Sequence, residues 1–518
     1  MKKNIYWTDM HSNLHYHQIE ELEKWYNHAK EILDFWPIAY YPYYMRKDKS
    51  GLSVEDIYPM DNILKHWEII REFFNKKEVE LPNFPVFMGY EWQGSGEDGD
   101  HNVFYLKNDE TIHNPRRYSD LIECLKPQEA IAIPHHIAYE LGHRGKNWET
   151  HSEIFSPFAE IYSSHGSSEN GYTDLHMSRH IHMGPRTGGT TYFNGLEREY
   201  LVGAIASGDN HSVPAMYGHG FMAVISEKSD KKSIWEAMLK RNVYGVSGNK
   251  IELHYGVNNG IMGDLISSGK IHDHKISVNA GDAINRIELY RNNILEDTYI
   301  HGGKWERSEL CDVVTFKFRV EFGWGPDTRI YPDITKKNWH GKLKTDGEIL
   351  SIEKCWTSFD QYLNLVDKNS CEFQLVTHKT SQSGKWMGPS PILTEGFIFE
   401  IKALRNSNIT LEVDKKKYKI SVESILKDTQ LIVGLDEAKK LSKERFGFDD
   451  YYRTDPFWHN AYKIRINRGT PEIGYKVDVN FQTKGILNER YFYMVKVFQR
   501  DGNLAWSSPI WVDTTEKN

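Results

Sequence analysis

The pattern of apolar residues in this chain changes near residue 250. Before that point, short apolar runs such as 84–92 alternate with longer segments whose apolar residues recur at helical spacing, as in 17–33. After it, short alternating runs separated by turn residues dominate. The first pattern predicts an α/β region with a mostly parallel sheet or barrel over residues 1–250. The second predicts an all-β, β-sandwich-rich region over residues 251–518.

The strand-like runs of the first region share a property, because histidine, carboxylate or amide side chains lie at one end of each. These residues are Asp9, His11, Asn13, Glu91, His101, His135, His136, Glu160, Asp209 and His211. In parallel sheets and barrels, sites form at the carboxyl ends of the strands. Imidazole nitrogen and carboxylate oxygen are ligands for transition-metal ions. The pattern therefore predicts a site for two or more metal ions.

Asp9, His11 and Asn13 project from one face if they lie on a strand, because side chains alternate there. Such a row offers ligands to an ion and a carboxylate that orients a ligand imidazole. An edge strand with polar residues facing solvent explains the three residues equally well. Asp209 and His211 repeat the spacing after the last apolar run, where the pair could complete the site and transfer a proton.

Glu91 ends an otherwise apolar run, and a buried carboxylate without a partner is costly. A metal ion satisfies it, and an ion pair with Lys or Arg is the alternative. His101 follows a Gly- and Asp-rich loop whose flexibility lets the imidazole turn back toward the site. His135 and His136 are adjacent, so only one faces inward on a regular strand. We predict His135 as the ligand and His136 as an outer or substrate-contacting group.

Charge and hydropathy exclude several classes of partner. The formal net charge of −8, with a pI near 6.3, provides no basic field for nucleic acid. No window approaches the roughly 18 apolar residues of a membrane span, and no apolar signal segment follows the N-terminus. The four cysteines form no CxxC pair, and Walker, GxSxG and HExxH motifs are absent. We therefore predict a cytoplasmic protein that acts on a small molecule; the sequence carries no signal of oligomeric state.

The same residues, in this order, resemble a known family. The motifs are DMHSN, GYEW, GDHNV, PHH, EIYSSHGSSE and SGDNH, followed by RNVYGVSGNKIEL, MGD and VFQRDGNLAWSSPIWVD. They resemble the PHP (polymerase and histidinol phosphatase) superfamily and, within it, the group DUF3604. The resemblance implies a distorted (β/α)7 barrel with a multinuclear Zn, Mn or Fe site that hydrolyses phosphate esters. By motif it makes core ligands of His11, Glu91, His101, His135 and Asp209, with His211 binding or neighbouring a third ion.

Two positions depart from the family pattern. Asn13, a weak neutral ligand, stands where the second histidine of an HxH motif is expected. Tyr40 and Tyr41 stand where a strand is expected to end in Asp-His. His15 or His17 could compensate in part, but the loss of that histidine favours about two ions over three. Tyr40, Tyr41, Tyr43 and Tyr44 form either an aromatic wall beside the metals or packing beneath the next loop.

These observations predict a metal-dependent hydrolase that uses a metal-activated water on a small ester. The resemblance to the PHP superfamily makes a phosphate ester the preferred bond. The predicted metal ligands are His11, Asn13, Glu91, His101, His135, Asp209 and His211, and the predicted catalytic residues are Asp209, His211 and Glu91. Predicted substrate-binding or surrounding residues are Asp9, His15, Tyr41, Trp92, His136, Glu160 and His165, with a structural role as the alternative for Glu160 and His165. Anion contacts could come from Arg116, Arg117, Arg144, Lys146 and Arg186, for which surface solvation is the alternative. The competing function is a degenerate barrel that binds a glycan or another protein.

Overall fold

Short strands separated by a few helices make up the chain before residue 250. The structure is a computed structural model that describes residues 3–171, 188–328, 330–378, 394–447 and 453–516. The strands are β1 (Asn4–Thr8), β2 (Asn13–His15), β3 (Trp36–Pro37), β4 (Ala39–Tyr41), β5 (Tyr43–Lys47), β6 (Ser53–Ile57), β7 (Val86–Phe87), β8 (Gly89–Trp92), β9 (His101–Tyr105), β10 (Ala130–Pro134), β11 (Phe158–Ser163), β12 (Gly166–Ser167), β13 (Gly203–Ala206), β14 (Phe221–Ser226) and β15 (Val243–Val246). The helices are α1 (Leu22–Ile32), α2 (Met60–Glu80), α3 (Tyr118–Leu125), α4 (Tyr192–Glu197) and α5 (Lys231–Leu239). α1 confirms the helical spacing seen in the sequence, because it buries Leu22, Trp25 and Ala29.

Strands dominate after residue 250. They are β16 (Glu252–Val257), β17 (Gly260–Ile261), β18 (Leu265–Ser268), β19 (Ile271–Asn279), β20 (Ile284–Arg291), β21 (Ile294–Ile300), β22 (Val313–Trp324), β23 (Lys336–Thr345), β24 (Glu348–Cys355), β25 (Tyr362–Asp367), β26 (Ser370–His378), β27 (Thr394–Leu404), β28 (Asn408–Val413), β29 (Lys416–Ser421), β30 (Gln430–Val433), β31 (Tyr462–Ile466), β32 (Thr470–Pro471), β33 (Lys476–Lys484), β34 (Arg490–Gln499), β35 (Leu504–Ser507) and β36 (Ile510–Thr514). The helices are α6 (Val422–Lys427), α7 (Leu435–Phe446), α8 (Asp455–Asn460) and α9 (Glu472–Tyr475). The prediction that this region consists mainly of strands is confirmed.

Strand pairing in the first region differs from the predicted barrel. β2, β4 and β8 are parallel neighbours, but β8, β9 and β10 continue the same sheet as an antiparallel series. β11 and β13 form a separate parallel pair, and β1, β14 and β15 an antiparallel set. Within the described residues these sheets form no closed barrel, so the (β/α)7 barrel is not shown. The reason is local: only residues 93–100 join β8 to β9, and a parallel neighbour needs a crossover of about a dozen residues or more.

Two antiparallel sheets of the second region pack face to face. One has the order β24-β27-β22-β31-β30, and the other β25-β26-β23-β28-β29. Phe322 of the first sheet lies with its ring centroid 5.5 Å from Trp339 and 5.3 Å from Phe373 of the second. Phe373 and Phe397 make a further ring contact at 5.3 Å. These aromatic contacts between the inner faces form a sandwich.

One sheet crosses the boundary predicted at residue 250. Its order is β1-β14-β15-β35-β34-β20-β21, so β35 near the end of the chain pairs with β15. Trp506 of β35 stacks on Tyr162 of β11 at 5.7 Å. Trp148, Trp506 and Trp511 belong to the same buried cluster. The division at residue 250 stays a prediction, and residues on both sides of it share a core.

None of the helices in the described ranges is both long enough and apolar enough to cross a bilayer.

Candidate metal centre

The predicted site lies at the ends of several strands of the first region. Glu91 lies in β8, His135 and His136 follow β10 directly, Glu160 lies in β11, and Asp209 follows β13. Apolar runs that are buried along their whole length, AIAIP in β10 and GAIA in β13, anchor these positions. Hydrophobic burial of the strands therefore holds the polar side chains that follow them inside the protein.

Five buried side chains form what we call the His-carboxylate cluster: His11, Glu91, His135, His136 and Asp209. Each is at most 4% exposed. Two groups of three could hold a metal ion, and the ligand atoms within each group lie within 4.8 Å of one another. One group is His11, Glu91 and His135, and the other is His135, His136 and Asp209. His135 belongs to both, so the cluster has the ligand chemistry of a site for neighbouring ions.

The His135 imidazole has neither ring nitrogen hydrogen-bonded to any described residue. Its ring centroid lies 4.0 Å from that of His11 and 4.3 Å from that of His136. Burial, followed by the charges of His11 and His136, lowers the pKa of His135 well below its usual value. A buried polar group without a partner costs about 1–3 kcal/mol. A metal ion that accepts a nitrogen lone pair removes this cost, so the residues present fit a bound cation.

Glu160 orients the His11 imidazole. His11 Nδ1 lies 3.1 Å from Glu160 Oε2, while His11 Nε2 lies 3.5 Å from Glu91 Oε2 and 3.3 Å from Asp209 Oδ1. Glu160 also accepts a hydrogen bond of 2.9 Å from the His136 backbone N–H. Burial lowers the pKa of His11, but Asp209, Glu160 and Glu91 more than offset this and raise it well above its usual value. The carboxylates thus favour positive charge at this point, whether a proton or a metal ion supplies it.

We expect Glu160→Gln to lower metal affinity about 10–100-fold, because loss of a carboxylate behind a ligand imidazole has that typical cost. The substitution preserves the shape of the side chain but weakens its hold on the Nδ1 proton of His11. Equilibrium dialysis against Mn²⁺ measures the affinity, and circular dichroism checks the fold. The control is Glu129→Gln, an exposed carboxylate paired with Lys107. Equal affinity of the two variants would contradict this role of Glu160.

Asp209 lies among imidazoles. Its Oδ2 contacts Nε2 of His165, and its Oδ1 lies 3.5 Å from Nε2 of His211. Burial raises the pKa of Asp209, but His11 and His165 more than offset this and hold it well below its usual range. The His211 side chain is 32% exposed, and its Nδ1 lies 2.8 Å from Nε2 of His15. His211 therefore connects the buried carboxylate with the surface.

Asp9 binds backbone rather than an imidazole. Its carboxylate accepts hydrogen bonds from the N–H groups of His11 at 3.0 Å, Gly208 at 2.7 Å and Ala215 at 3.1 Å. A Cβ at Gly208 would lie 2.5 Å from Asp9 Oδ2, so only glycine fits this close approach. Asp9 thus fixes the loop that carries His11 against the loop that carries Asp209.

Asn13 and Tyr41 both lie beside the cluster. Asn13 Nδ2 is 3.3 Å from Asp209 Oδ1, and Asn13 Oδ1 has no hydrogen-bond partner among the described residues. The Tyr41 ring centroid lies 5.1 Å from that of His211 and 4.6 Å from that of His15. Tyr41 thus lies beside two imidazoles, and its role as an aromatic wall beside metal ions stays a prediction. The Tyr41 hydroxyl donates to Glu55.

His101 and Trp92 lie on the other face of their strands. His101 pairs with Trp92 across β8 and β9, whereas Asn102 pairs with Glu91. The His101 ring stacks on Tyr118 at 4.2 Å. Its Nδ1 lies 3.0 Å from the carbonyl oxygen of Gly99. The Trp92 indole N–H donates to the carbonyl oxygen of Pro115 at 2.8 Å. The structure therefore does not bring these two predicted residues into the cluster, and the ligand role of His101 stays a prediction.

Asp100 and Asn102 take the inward positions instead, and the sequence reasoning missed them. Both are at most 1% exposed, and neither Asp100 Oδ1 nor Asn102 Oδ1 has a hydrogen-bond partner among the described residues. His136 Nε2 lies 3.5 Å from Asp100 Oδ2. Burial raises the pKa of Asp100 and the Arg144 guanidinium offsets only part of this, so the pKa lies at about 7. The alternation of polar residues in GDHNV was the available signal, because Asp100 and Asn102 flank His101 at strand spacing.

The predicted anion contacts have different locations. Arg116 is exposed, and Arg117 pairs with Glu97 and Asp98. Lys146 is 1% exposed, and its Nζ lies 3.3 Å from His101 Nε2. Burial lowers the pKa of Lys146 to about 7. Arg186 lies outside the described residues. Among the described members of this set, Arg144 contacts the cluster, with its Nη2 3.8 Å from Glu91 Oε1.

Residues of the second region contact the loop that follows Asp209 and His211. The Tyr217 backbone N–H donates to the carbonyl oxygen of Trp356 at 2.9 Å. The Arg319 guanidinium lies 4.4 Å from the Tyr217 ring centroid. Because Trp356 follows β24 and Arg319 lies in β22, the sandwich contacts the loop that carries Asp209 and His211, two of the three predicted catalytic residues.

Comparisons with known proteins are distant. No family model matches the chain, so the resemblance to DUF3604 stays a prediction. An uncharacterised protein of Chlamydia pneumoniae is 22% identical over 300 residues, which are 52% of this chain and 47% of that protein. An uncharacterised protein of Chlamydia trachomatis is 26% identical over 241 residues, 42% of this chain and 38% of that protein. The matched part thus spans less than half the length of these two relatives.

Among the similar solved structures is one that matches over most of its length. It is a two-domain protein from Bacteroides vulgatus that contains a predicted PHP-like metal-dependent phosphoesterase, with a TM-score of 0.31 and 12% identity. The match covers 81% of this chain and 95% of that one. At this distance, function has to follow from the residues of the site itself.

Proposed function

We propose that this protein is a metal-dependent hydrolase of a small ester, with a phosphate ester as the preferred bond. The observation that carries the proposal is the buried His-carboxylate cluster, and within it the His135 imidazole with no hydrogen-bond partner among the described residues. Imidazole and carboxylate ligands suit Zn, Mn or Fe, and the two groups that share His135 suit about two ions. The competing glycan- or protein-binding function leaves the partnerless His135 unexplained.

His11, Glu91, His135, His136 and Asp209 would hold the ions. Such ions supply Lewis-acid chemistry, lowering the pKa of water and stabilising charge that develops on oxygen. Asp209 is held as a carboxylate by its imidazole neighbours, so it can bind a cation or accept a hydrogen bond from water. His211 reaches both Asp209 and solvent, and it can give a proton to a leaving group. Glu91 supplies one oxygen to His11 and the other toward Arg144.

The net charge bears on the class of partner. With a net charge of −8, a small-molecule substrate is a better partner than nucleic acid. The cytoplasmic location stays a prediction.

Elemental analysis of the purified chain, followed by assays on phosphomonoesters, phosphodiesters and carboxylic esters, tests the proposal. We expect about two transition-metal ions per chain and metal-dependent turnover of a phosphate ester. A metal-free protein that cannot be reconstituted would leave the binding function as the better explanation. Turnover of carboxylic esters alone would overturn the choice of phosphate.

A further inference from the structure

Arg144 lies among three carboxylates at the edge of the cluster. Its Nε donates to Asp100 Oδ2, its Nη1 lies 3.5 Å from Glu55 Oε2, and its Nη2 lies 3.8 Å from Glu91 Oε1. Asp100 is fully buried and Glu91 nearly so. The guanidinium therefore supplies the positive charge that this group of oxygens requires.

The Arg144 backbone has the left-handed conformation, with φ of 70°. Residues other than glycine adopt this backbone conformation at a cost in free energy. The next residue along the chain is Gly145. The backbone is held there, because the Arg144 N–H donates to the carbonyl oxygen of Gly96 at 2.9 Å. The loop thus carries an arginine where glycine would be unstrained, which points to a requirement for the side chain.

Glu91 links this arginine to the candidate metal ligands. One carboxylate oxygen, Oε2, lies 3.5 Å from His11 Nε2. The other, Oε1, accepts a hydrogen bond of 2.9 Å from Gln93 Nε2 and lies 3.8 Å from Arg144 Nη2. Glu91 therefore lies between His11 and Arg144. Glu55, whose described partners are the Tyr41 hydroxyl and Arg144, closes the far side of the guanidinium.

We propose that the Arg144 guanidinium occupies a third cation position, formed by Glu55, Glu91 and Asp100, in place of a metal ion. The proposal rests on the proposed function for the neighbouring metal positions. The consequence is a site with a fixed positive charge that chelators do not remove. The side chain is 28% exposed. It therefore also offers that charge to the anionic group of an ester.

Metal counting on the full-length chain tests the third position. Arg144→Gly removes the guanidinium and suits a φ of 70°. The three carboxylates then lack a cation, so we expect this variant to bind one more Mn²⁺ per chain than wild type after equilibrium dialysis. Arg144→Lys retains the charge and should match wild type. Adding Glu55→Gln to Arg144→Gly should remove the extra ion.

Arg117→Ala is the matched control, because it frees Glu97 and Asp98 from an arginine outside the cluster. It should bind no extra ion. Equal Mn²⁺ counts in wild type and Arg144→Gly would overturn the proposal while leaving the metal-dependent hydrolase intact. Absence of Mn, Zn and Fe from wild type would instead contradict the proposed function. If Arg144→Gly fails to fold, the single variant Glu55→Gln tests the proposal. An unchanged number of Mn²⁺ ions per chain supports the proposal, and loss of one ion overturns it.

Discussion

Replacement of His135 by alanine is expected to abolish metal binding and, with it, hydrolysis. His135 belongs to both groups that could hold an ion, so its loss leaves each with two ligands. Loss of a group that hydrogen-bonds to a metal ligand typically lowers metal affinity about 10–100-fold, and loss of a shared ligand should lower it more. Elemental analysis and turnover of the best ester in the panel measure the two effects. Near-wild-type metal content in this variant would contradict the assignment of the cluster.

His28→Ala controls for the loss of a buried imidazole. His28 lies in α1, is 7% exposed, and has an Nε2 atom with no partner among the described residues. Its ring packs against Phe359 at 5.0 Å, away from the cluster. We expect His28→Ala to lower the melting temperature, as truncations of core side chains do, and the variant to retain its metal. Metal loss in both variants would indicate unfolding rather than removal of a ligand.

A chain cut after residue 250 is expected not to fold. The cut removes β35, which pairs with β15, and removes Trp506 from its stack on Tyr162. Truncating one buried tryptophan to alanine costs about 3–5 kcal/mol, and whole domains are stable by only about 5–15 kcal/mol. Size-exclusion chromatography and thermal melting should show aggregation or the absence of a cooperative transition.

Co-expression of residues 251–518 with residues 1–250 is the matching rescue. If the shared sheet is needed for folding, the two pieces should copurify and bind metal together. A soluble 1–250 fragment with the metal content of the whole chain would instead support an independent catalytic domain. Either result decides whether the predicted boundary separates two folding units.

Glu91, His135 and Asp209 were predictable because each terminates or follows a run of apolar residues. A strand buried along its whole length forces the next polar side chain into the interior, and a buried polar group needs a partner. The same reasoning predicted His11 from its spacing with Asp9. It did not distinguish the role of Asp9, whose carboxylate binds the backbone N–H groups of Gly208 and Ala215.

The position of His101 shows where this reasoning ends. In a strand, a shift of one residue in register moves every side chain to the opposite face. Cross-strand pairing places Asn102 opposite Glu91 and His101 opposite Trp92. Asp100 and His101, adjacent residues that could both bind a metal ion, thus lie on opposite faces of the sheet. The motif contains both, and only the pairing selects between them.

The sequence by itself determined which types of side chain are buried at the candidate site, because apolar runs dictate burial and the residues that end them are imidazoles and carboxylates. It also determined that the second region is made of strands, through alternating polarity. The tertiary structure alone decided which faces meet, that β35 completes a sheet of the first region, and that Arg144 contacts Glu91 and Asp100. These outcomes depend on hydrogen-bond register and on contacts between residues far apart in the chain, which no local pattern encodes.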